Sequence, residues 1–338
     1  MTTHTGSKDT ASIRDVAKRA GVSHQTVSRV LNGHPNVRPA TRQRVLDAVS
    51  ELSFRPNRAA RMLATNRSYT VGVLMTASPA YFGPSSVMSA IEDAARESGY
   101  SILLAIPRDT DPSDFNGALN HLIREGVEGI VVVAPQIRAA DAMKTLREPV
   151  PVVMIQGDSA DPGMSVDNEV GGELAAQHLW ERGHRRVALV AGPADWSESG
   201  ARTRGFERYL TSVGSCPVVV TEGDWSAESG YHAYHRIRES DFTGVFCAND
   251  QMALGLIHAA YADGVRVPSD LSVVGFDDIP EAAHFLPPLT TVHQDFEVLG
   301  RRAIDRLLSA LRSDAAEPQE AVASLRPELV VRNSTVTR

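Results

Sequence analysis

The chain has 338 residues, more than one small domain needs, because domains commonly hold about 100 to 200 residues. Its 42% hydrophobic and 22% charged content is that of an ordinary globular protein and excludes a disordered or fibrous chain. The net charge of −7, averaged over the chain, argues against a nucleic-acid partner, since phosphates attract basic surfaces.

Cysteine content and hydropathy limit the location of the protein. Cys216 and Cys247 are the only cysteines, which excludes a disulfide framework and a four-cysteine zinc site. No apolar run approaches the roughly 20 residues of a membrane helix, and the N-terminus is polar with no apolar signal segment. We therefore expect a cytoplasmic protein with no membrane partner.

The charge is divided unevenly along the chain. Residues 11–67 hold eleven basic and three acidic residues, a net charge of +8, whereas the rest of the chain carries −15. A basic N-terminal segment on an acidic body predicts binding to nucleic acid. The alternative is a solvated basic surface that has no partner.

Apolar spacing predicts a short first helix. Ile13, Val16, Ala17 and Ala20 recur at i, i+3, i+4 and i+7, which places them on one helical face, and Gly21 is a natural stop.

A second helix follows directly. Ser23 is placed to cap it, Val27, Val30 and Leu31 form its buried face, and Asn32-Gly33 ends it. Two short helices joined by a glycine-containing turn predict a helix-turn-helix.

A third helix, from about Thr41 to Leu52, would close a small core with Val45, Leu46, Val49 and Leu52 on one side.

The second helix would expose its first turn. His24, Gln25 and Arg29 point away from its apolar face, and donors at the start of a recognition helix reach base edges in the major groove. Gln can bond adenine and Arg can bond guanine through two hydrogen bonds each. The alternative is that these are ordinary polar surface residues.

The run from Ser12 to Leu74 closely resembles the N-terminus of the lactose-repressor (LacI/GalR) family of transcription regulators. The resemblance covers essentially the whole chain after residue 11. It continues through Leu189–Pro193, Gly223–Ala227, Ala248–Gly255, Ser272–Asp278, Pro287–Thr291 and Gln294–Phe296.

The resemblance implies two groups of DNA contacts. In the family, a hinge helix pairs with its dimer mate in the minor groove, and a leucine at the position of Leu63 wedges between base steps. The segment 57–64 has little apolar area and would be a marginal helix alone; the alternative is a plain linker. The expected DNA-binding residues are Ser23, His24, Gln25, Thr26, Ser28, Arg29 and Asn32 in the second helix, and Asn57, Ala60, Arg61 and Leu63 in the hinge.

Beyond residue 69, near-continuous apolar runs alternate with helical stretches, which predicts parallel strands covered on both faces. The fold class is therefore α/β, with doubly wound sheets behind an all-α headpiece. The resemblance implies two lobes of the periplasmic-binding-protein type. The strand candidates are 70–75, 100–105, 129–134, 151–155, 186–191, 217–220, 244–248 and 271–275.

These elements predict a domain plan. We expect a flexible tail over 1–10, a helix-turn-helix headpiece over 11–56, a hinge helix and linker over 57–68 and an effector-binding core over 69–338. The core would divide into an N-lobe of about 69–165 and 296–322 and a C-lobe of about 166–295 and 323–338.

Polar residues follow several core strands, at the sheet edge where α/β proteins bind ligands. Asn249, Asp277 and Arg202 offer the paired hydrogen bonds that sugar hydroxyls need, and Trp225 and Phe296 offer faces for a sugar ring. All five match effector-contacting positions of the family. The alternative is that Asn249 and Asp277 cap strand ends and that Trp225 is core.

Two further positions depart from the family pattern at the same site. Gln156 stands where the member that gives the family its name carries an aspartate, and Thr76 replaces a serine. A carbohydrate effector is expected, with a galactoside as one candidate, whereas the identity of the sugar stays open.

No catalytic residue, cofactor or metal is predicted. His232 and His235 have a helical metal spacing but no third ligand, and no Gly-x-Ser-x-Gly elbow or phosphate-binding glycine loop is present. The C-terminus lacks leucine heptads, so we expect a homodimer on a pseudo-palindromic operator, released by its effector. The alternatives are a sugar-binding solute receptor, a regulator with a non-sugar corepressor such as a nucleobase, and a sugar-metabolising enzyme.

Overall fold

The computed structural model describes residues 11–31, 34, 36–54, 62, 67–76, 81–107, 112–134, 136–137, 149–155, 162–312 and 322–338. The chain divides into two compact units, Met1–Ser68 and Tyr69–Arg338. Six predicted site residues lie outside the described residues: Asn32, Asn57, Ala60, Arg61, Leu63 and Gln156.

The first unit contains α1 (Ile13–Ala20), α2 (His24–Leu31) and α3 (Pro39–Glu51). Ser12 and Asp15 form a reciprocal capping box at the start of α1, and Gly21 ends it in the left-handed conformation at φ 64°. Ser23 Oγ accepts a hydrogen bond from the Thr26 amide at 3.2 Å, so Ser23 caps α2 as predicted.

A small apolar core joins the three helices. Val16, Val27 and Val45 are fully buried in it, with the other members of the predicted α1 and α2 faces around them. The prediction for α3 was wrong at Leu46, which is 45% exposed, while Ala48 is buried. A helix turns about 100° per residue, so the buried face of Val45 continues at i+3 and i+4, not at i+1.

The second unit begins with a parallel sheet. Its strands are β1 (Thr70–Met75), β2 (Ser101–Ala105), β3 (Gly129–Val133) and β4 (Val152–Ile155). They lie side by side in the order β2-β1-β3-β4.

Helices cover both faces of this sheet. Val71, Val73 and Met75 of β1 pack on one side, against α4 (Phe82–Glu97) and α10 (Phe296–Arg312). Leu74 packs on the other side, against α5 (Pro112–Arg124). This arrangement follows from the two-residue period of a strand and confirms the predicted doubly wound fold class.

Six described strands form the second sheet: β5 (Val187–Ala191), β6 (Val219–Glu222), β7 (Gly244–Cys247), β8 (Ser272–Asp277), β9 (Thr290–His293) and β10 (Glu328–Val330). They lie in the order β10-β9-β8-β7-β5-β6, and among them only β10 runs antiparallel to its neighbour.

Four helices cover the second sheet: α6 (Asn168–Glu181), α7 (Ser197–Ser212), α8 (Ala227–Ile237) and α9 (Asp250–Ala262). The helices α6 and α7 pack with buried phenylalanines on one face, and α8 and α9 pack on the other.

Three segments of chain pass between the sheets. The helix α10 follows β9 of the second sheet but packs on the first, and the chain then returns to form β10. Val166 and Leu325 form a parallel bridge where two of these segments run side by side. Below, "N-lobe" means the first sheet with its helices, and "C-lobe" means the second.

Candidate functional site

The first candidate site is the start of α2 in the helical unit. His24, Gln25 and Arg29 are exposed, as the sequence predicts, whereas Thr26 and Ser28 are half-buried. Ser23 and Thr26 hold each other through their hydroxyls at 3.0 Å, which fixes the first turn. The helix therefore presents amide and guanidinium donors on a preformed backbone.

A shallow groove beside α2 adds positive charge. It runs to the first turn of α3 and carries Arg29, Arg38 and Arg44 in its lining. Sequence reasoning counted Arg38 and Arg44 only as net charge. Because helix N-termini and guanidinium groups both attract anions, this groove suits a phosphate backbone that passes over α2.

The second candidate site is a cavity between the N-lobe and the C-lobe of the second unit. It measures about 400 Å³ when the space open to solvent is included. Six of the seven predicted effector residues are described, and five of them line this cavity: Arg202, Trp225, Asn249, Asp277 and Phe296.

Arg202 is the central charge of this cavity. It is 5% exposed, and its guanidinium donates to Asn168 Oδ1 at 2.9 Å and to the Ala248 carbonyl at 2.5 Å. The same group forms an ion pair with Asp277 at 3.3 Å and lies 3.8 Å from the centre of the Phe276 ring. Arg202 is thus held rigidly, with planar contacts that lysine could not reproduce.

Close helix packing places Arg202. A Cβ on Gly172 of α6 would lie 2.1 Å from the Arg202 carbonyl oxygen, and one on Gly205 of α7 would lie 1.9 Å from the Glu169 carbonyl oxygen. The two helices can approach this closely only because both positions lack a side chain. Gly172, which fits no phosphate-binding motif, therefore serves packing.

Asp277 completes the ion pair at the end of β8. It accepts a hydrogen bond from Gln294 Nε2 at 2.7 Å, and its backbone has a positive φ of 104°. Burial raises the pKa of Asp277 to about 6, although Arg202 and Gln294 act in the opposite direction. A strained backbone that holds a buried carboxyl is a typical feature of functional sites.

Asn249 has a structural task as well as a place in the cavity. Its Oδ1 accepts from the Met252 amide at 2.9 Å and caps α9, as the alternative interpretation expected. Its Nδ2 donates to the Trp225 carbonyl at 3.0 Å. Asn249 therefore fixes the backbone of a neighbouring cavity residue.

Aromatic rings from both lobes surround these polar groups. Trp225 is 5% exposed and packs edge-on against Trp196, whose ring in turn meets Tyr81 of the N-lobe. Phe82 and Phe296 form a second edge-on pair at 5.9 Å between centroids. Trp225 is thus both core and cavity wall, and among the described residues its Nε1 has no hydrogen-bond acceptor.

Glu198 brings a second carboxyl to the cavity from the first turn of α7. It is 5% exposed, and burial raises its pKa to about 7. Arg202 and Ser197 lower that pKa in part, while Asp277 raises it.

Thr76 departs from the expectation. Its hydroxyl donates to Gln136 Oε1 at 2.5 Å, and it does not belong to the cavity lining. Because the Gln136 acceptor and the Val133 carbonyl both lie within reach of the hydroxyl, Thr76 fixes the loop after β3 in this structure.

The sequence analysis missed the residues that the first turns of α4 and α7 and the positions just before them bring to the cavity: Tyr81, Phe82, Gly83, Pro84, Trp196 and Glu198. A signal was available for two of them. Trp196 and Glu198 follow β5, and the rule that ligands bind beyond strand ends applies there too. Tyr81 carried no such local signal, since it reaches the cavity only through lobe packing.

The two lobes also touch beside the cavity. The Ile137 amide donates to the Asp195 carbonyl at 2.9 Å, and Gln136 and Trp196 form an antiparallel bridge. Because Trp196 also lines the cavity, these contacts join the lobes next to it.

The described residues include no group of three or more His, Cys, Asp or Glu side chains that could hold a metal ion. None of their helices is long and apolar enough to cross a membrane.

Comparison with known proteins identifies the class of protein that this fold and these sites define. Residues 12–57 match the model of bacterial regulatory proteins of the lacI family, and residues 176–335 match a periplasmic binding protein-like domain. The lactose operon repressor of Escherichia coli K12 is 36% identical over 95% of this chain and 90% of its own length. A PurR repressor of Haemophilus influenzae is 35% identical over 96% of this chain and 98% of its own length.

Solved structures agree with the sequence comparisons. The lac repressor dimer bound to operator and the anti-inducer ONPF superimposes with a TM-score of 0.82 at 35% identity, over 96% of this chain and 99% of the other. The regulator CelR in complex with cellobiose gives 0.70 at 31% identity over the same shares. The chain belongs to the LacI family and is a DNA-binding transcriptional regulator with a ligand-binding core. These relatives are repressors or regulators rather than enzymes.

Proposed function

We propose that this protein is a repressor that binds a pseudo-palindromic operator as a homodimer and leaves it when a carbohydrate enters the cavity between the lobes. The observation that carries the proposal is the cavity itself, where a rigid Arg202–Asp277 pair stands among aromatic rings from both lobes. Directed polar groups beside aromatic faces are the recognition chemistry of sugars.

DNA recognition is assigned to the helical unit. The exposed His24, Gln25 and Arg29 would read base edges, with Ser23, Thr26, Ser28 and Asn32 beside them. The groove that holds Arg38 and Arg44 would follow the phosphate backbone. Asn57, Ala60, Arg61 and Leu63 are assigned to the hinge helix in the minor groove, on the resemblance to the family.

The effector is assigned to the interlobe cavity. Arg202, Asp277 and Asn249 would bond its hydroxyls, and Trp225 and Phe296 would pack on its ring. Gln156 and Thr76 keep the assignment that the family resemblance implies, although Thr76 lies outside the cavity lining in this structure and bonds Gln136 instead. A similar protein, CelR, was solved with cellobiose, which supports a carbohydrate.

Effector binding and DNA binding would be coupled because the effector binds two arrangements of the lobes with different affinities. Two contacts that join the lobes beside the cavity, Ile137 to Asp195 and Tyr81 to Trp196, would break or tighten when the cavity fills. A change in the angle between the lobes would then reach the hinge helices of both protomers.

The proposed domain plan is a tail over 1–10, a headpiece over 11–56, a hinge over 57–68 and a core over 69–338. We place the protein in the cytoplasm, associated with the nucleoid. The operator-bound dimer of the similar lac repressor supports a two-fold assembly and a palindromic site.

The proposal is tested by fluorescence anisotropy on labelled DNA from upstream of its own gene. We expect tight binding that weakens steeply with salt, and release by one of a panel of mono- and disaccharides that starts with β-galactosides and cellobiose. A scrambled duplex of the same composition is the control. Salt-insensitive binding, or equal affinity for the scrambled duplex, would contradict the proposal.

A corepressor is the second candidate, because PurR repressors are also similar over nearly the whole chain. The same titration separates the two, since a corepressor such as a purine base would strengthen operator binding and an inducing sugar would weaken it. An effect of purines without any effect of sugars would replace the first proposal by the second.

A further inference from the structure

Glu198 has a carboxyl oxygen that the described residues leave without a hydrogen bond. The side chain is buried, its Oε1 atom is shut off from solvent, and it lines the interlobe cavity. Its other oxygen accepts a long hydrogen bond from Ser197 Oγ, at 3.3 Å. A buried carboxyl oxygen without a donor is costly, so a ligand that supplies a donor here gains binding energy that the empty protein does not use.

The nearest cation is already engaged. Arg202 lies one turn further along α7, but its described hydrogen bonds go to Asn168, the Ala248 carbonyl and Asp277. The cavity wall thus holds two carboxyls for one guanidinium. Burial raises the pKa of Tyr81, which also lines the cavity, and the negative charges of Asp224 and Asp195 raise it further.

We propose that Glu198 determines the specificity of the effector cavity by accepting hydrogen bonds from two donors of a neutral carbohydrate and by excluding carbohydrates that carry phosphate or carboxylate. The inference rests on the proposed function, because it assumes that the cavity takes a carbohydrate. An ionised carboxylate accepts from two adjacent hydroxyls at once, whereas an anionic group would face Glu198 and Asp277 with no unpaired cation described nearby.

The position on the helix supports a role in recognition rather than in folding. Glu228 occupies the same place in α8, the second residue of the helix, yet its side chain is 78% exposed and pairs with His232 at 3.0 Å. A helix gains from an acidic side chain in its first turn whether or not that side chain is buried. Helix stability alone therefore does not require the burial of Glu198.

The proton balance of Glu198 supplies a pH signature. Its pKa is raised to about 7 by burial, the largest effect, and further by Asp277, whereas its own backbone amide, Arg202 and Ser197 oppose the rise. The carboxylate that accepts hydrogen bonds therefore forms between about pH 6 and pH 8. A neutral sugar should bind more tightly at pH 8 than at pH 6, and an anionic sugar should not.

The experiment uses the full-length protein, Glu198→Gln, and Glu228→Gln as the matched control. The probes are neutral mono- and disaccharides, with galactose 6-phosphate and galacturonate as anionic counterparts of galactose. Binding is followed by tryptophan fluorescence, since Trp196 and Trp225 line the cavity, at pH 6 and pH 8. Thermal unfolding without ligand checks that each variant folds.

We expect wild type to bind a neutral sugar and to reject its anionic counterpart. Glu198→Gln should bind that neutral sugar about 10- to 100-fold more weakly and with only the smaller pH dependence that Asp277 leaves, because a hydrogen bond to a charged group is lost. Glu228→Gln should bind as wild type does. If Glu198→Gln fails to fold, Glu198→Ser and the pH profile of wild type provide the same test.

Two kinds of failure are distinguishable. Wild type that prefers the anionic sugar, or Glu198→Gln that binds the neutral sugar with unchanged affinity and pH profile, overturns the role of Glu198 and leaves the carbohydrate effector standing. Wild type that binds no carbohydrate overturns the proposed function, and this inference with it.

Discussion

The two candidate sites place their polar side chains in opposite surroundings. At the start of α2, the side chains proposed to read DNA are exposed and come from one short helix. In the interlobe cavity they are buried and come from the C-lobe, with aromatic rings of both lobes around them. DNA offers a wide groove and strong charge, so a small rigid helix suffices, whereas a small neutral ligand must be enclosed and met by prearranged partners.

This contrast has an energetic consequence. Exposed recognition side chains can be changed at little cost to folding, because water solvates what remains. Buried ones are tied to each other, so a change in one leaves a partner unsatisfied. A substitution of a recognition residue in the headpiece should therefore change DNA binding with little effect on stability. A substitution of a polar residue in the cavity should change both effector binding and stability.

The largest expected effect is that of Arg202→Ala. The substitution leaves Asp277 buried without its cation, which should lower the free energy of unfolding by about 3 to 5 kcal/mol and abolish the effector response. Urea unfolding and the sugar titration measure the two losses. Arg208→Ala, on the same helix but exposed and paired with Glu173, should cost less than about 1 kcal/mol. Equal costs for both variants would remove the contrast.

The next largest effect is a slope of stability with pH. The folded-state pKa of Glu198, about 7, lies above its ordinary value of 4.5, so its contribution is fully present below pH 4.5 and is lost as the pH rises through 7. The loss amounts to up to about 3 kcal/mol, since each pKa unit corresponds to about 1.4 kcal/mol.

Glu198→Gln should remove this slope. At pH 8 the variant should unfold at a higher temperature than wild type, and near pH 4.5 the two should agree. Asp277, whose pKa is raised to about 6, keeps a residual slope of the same sign in both proteins. A variant that parallels wild type across the range would mean that Glu198 does not titrate in the folded protein.

The smallest effect on folding is expected in the headpiece. Arg29→Ala should weaken operator binding by about 1 to 3 kcal/mol, roughly 10- to 100-fold, and leave the unfolding temperature within a degree or so of wild type. Anisotropy and calorimetry measure the pair of quantities. Arg186→Ala removes one exposed charge from the C-lobe and should change neither. A large loss of stability in Arg29→Ala would contradict the comparison, because it would show that Arg29 contributes to folding as well as to DNA binding.

The headpiece was predictable because its signals are local. Apolar spacing, Ser23 as a cap and Gly21 as a stop gave the first two helices and their exposed face, and all depend on residues within one or two turns. The error at Leu46 has the same origin, since an apolar residue beside a helical face does not reveal in sequence whether a neighbour covers it.

The core was predictable in class and less so in detail. Eight strand candidates matched strands of the two sheets, but β9 and β10 were missed because each is short and gains its hydrogen bonds from a distant partner, such as Leu329 on Val292. At the cavity, strand ends and the family pattern gave Arg202 and Asp277. Tyr81 was missed because lobe packing, not spacing, brings it to the cavity, whereas Glu198 follows the end of β5 and was overlooked there.

The sequence by itself determined the class of protein, the basic headpiece with its exposed helix start, and the five cavity residues that follow strands or match the family. These depend on short-range patterns and on charge, which are readable without coordinates. Only the tertiary structure decided which side chains are shut off from water together. It left the Glu198 Oε1 atom without a hydrogen bond beside Arg202, which forms its ion pair with Asp277. Burial and pairing are properties of residues far apart in the chain, and the pKa of a carboxyl follows from them.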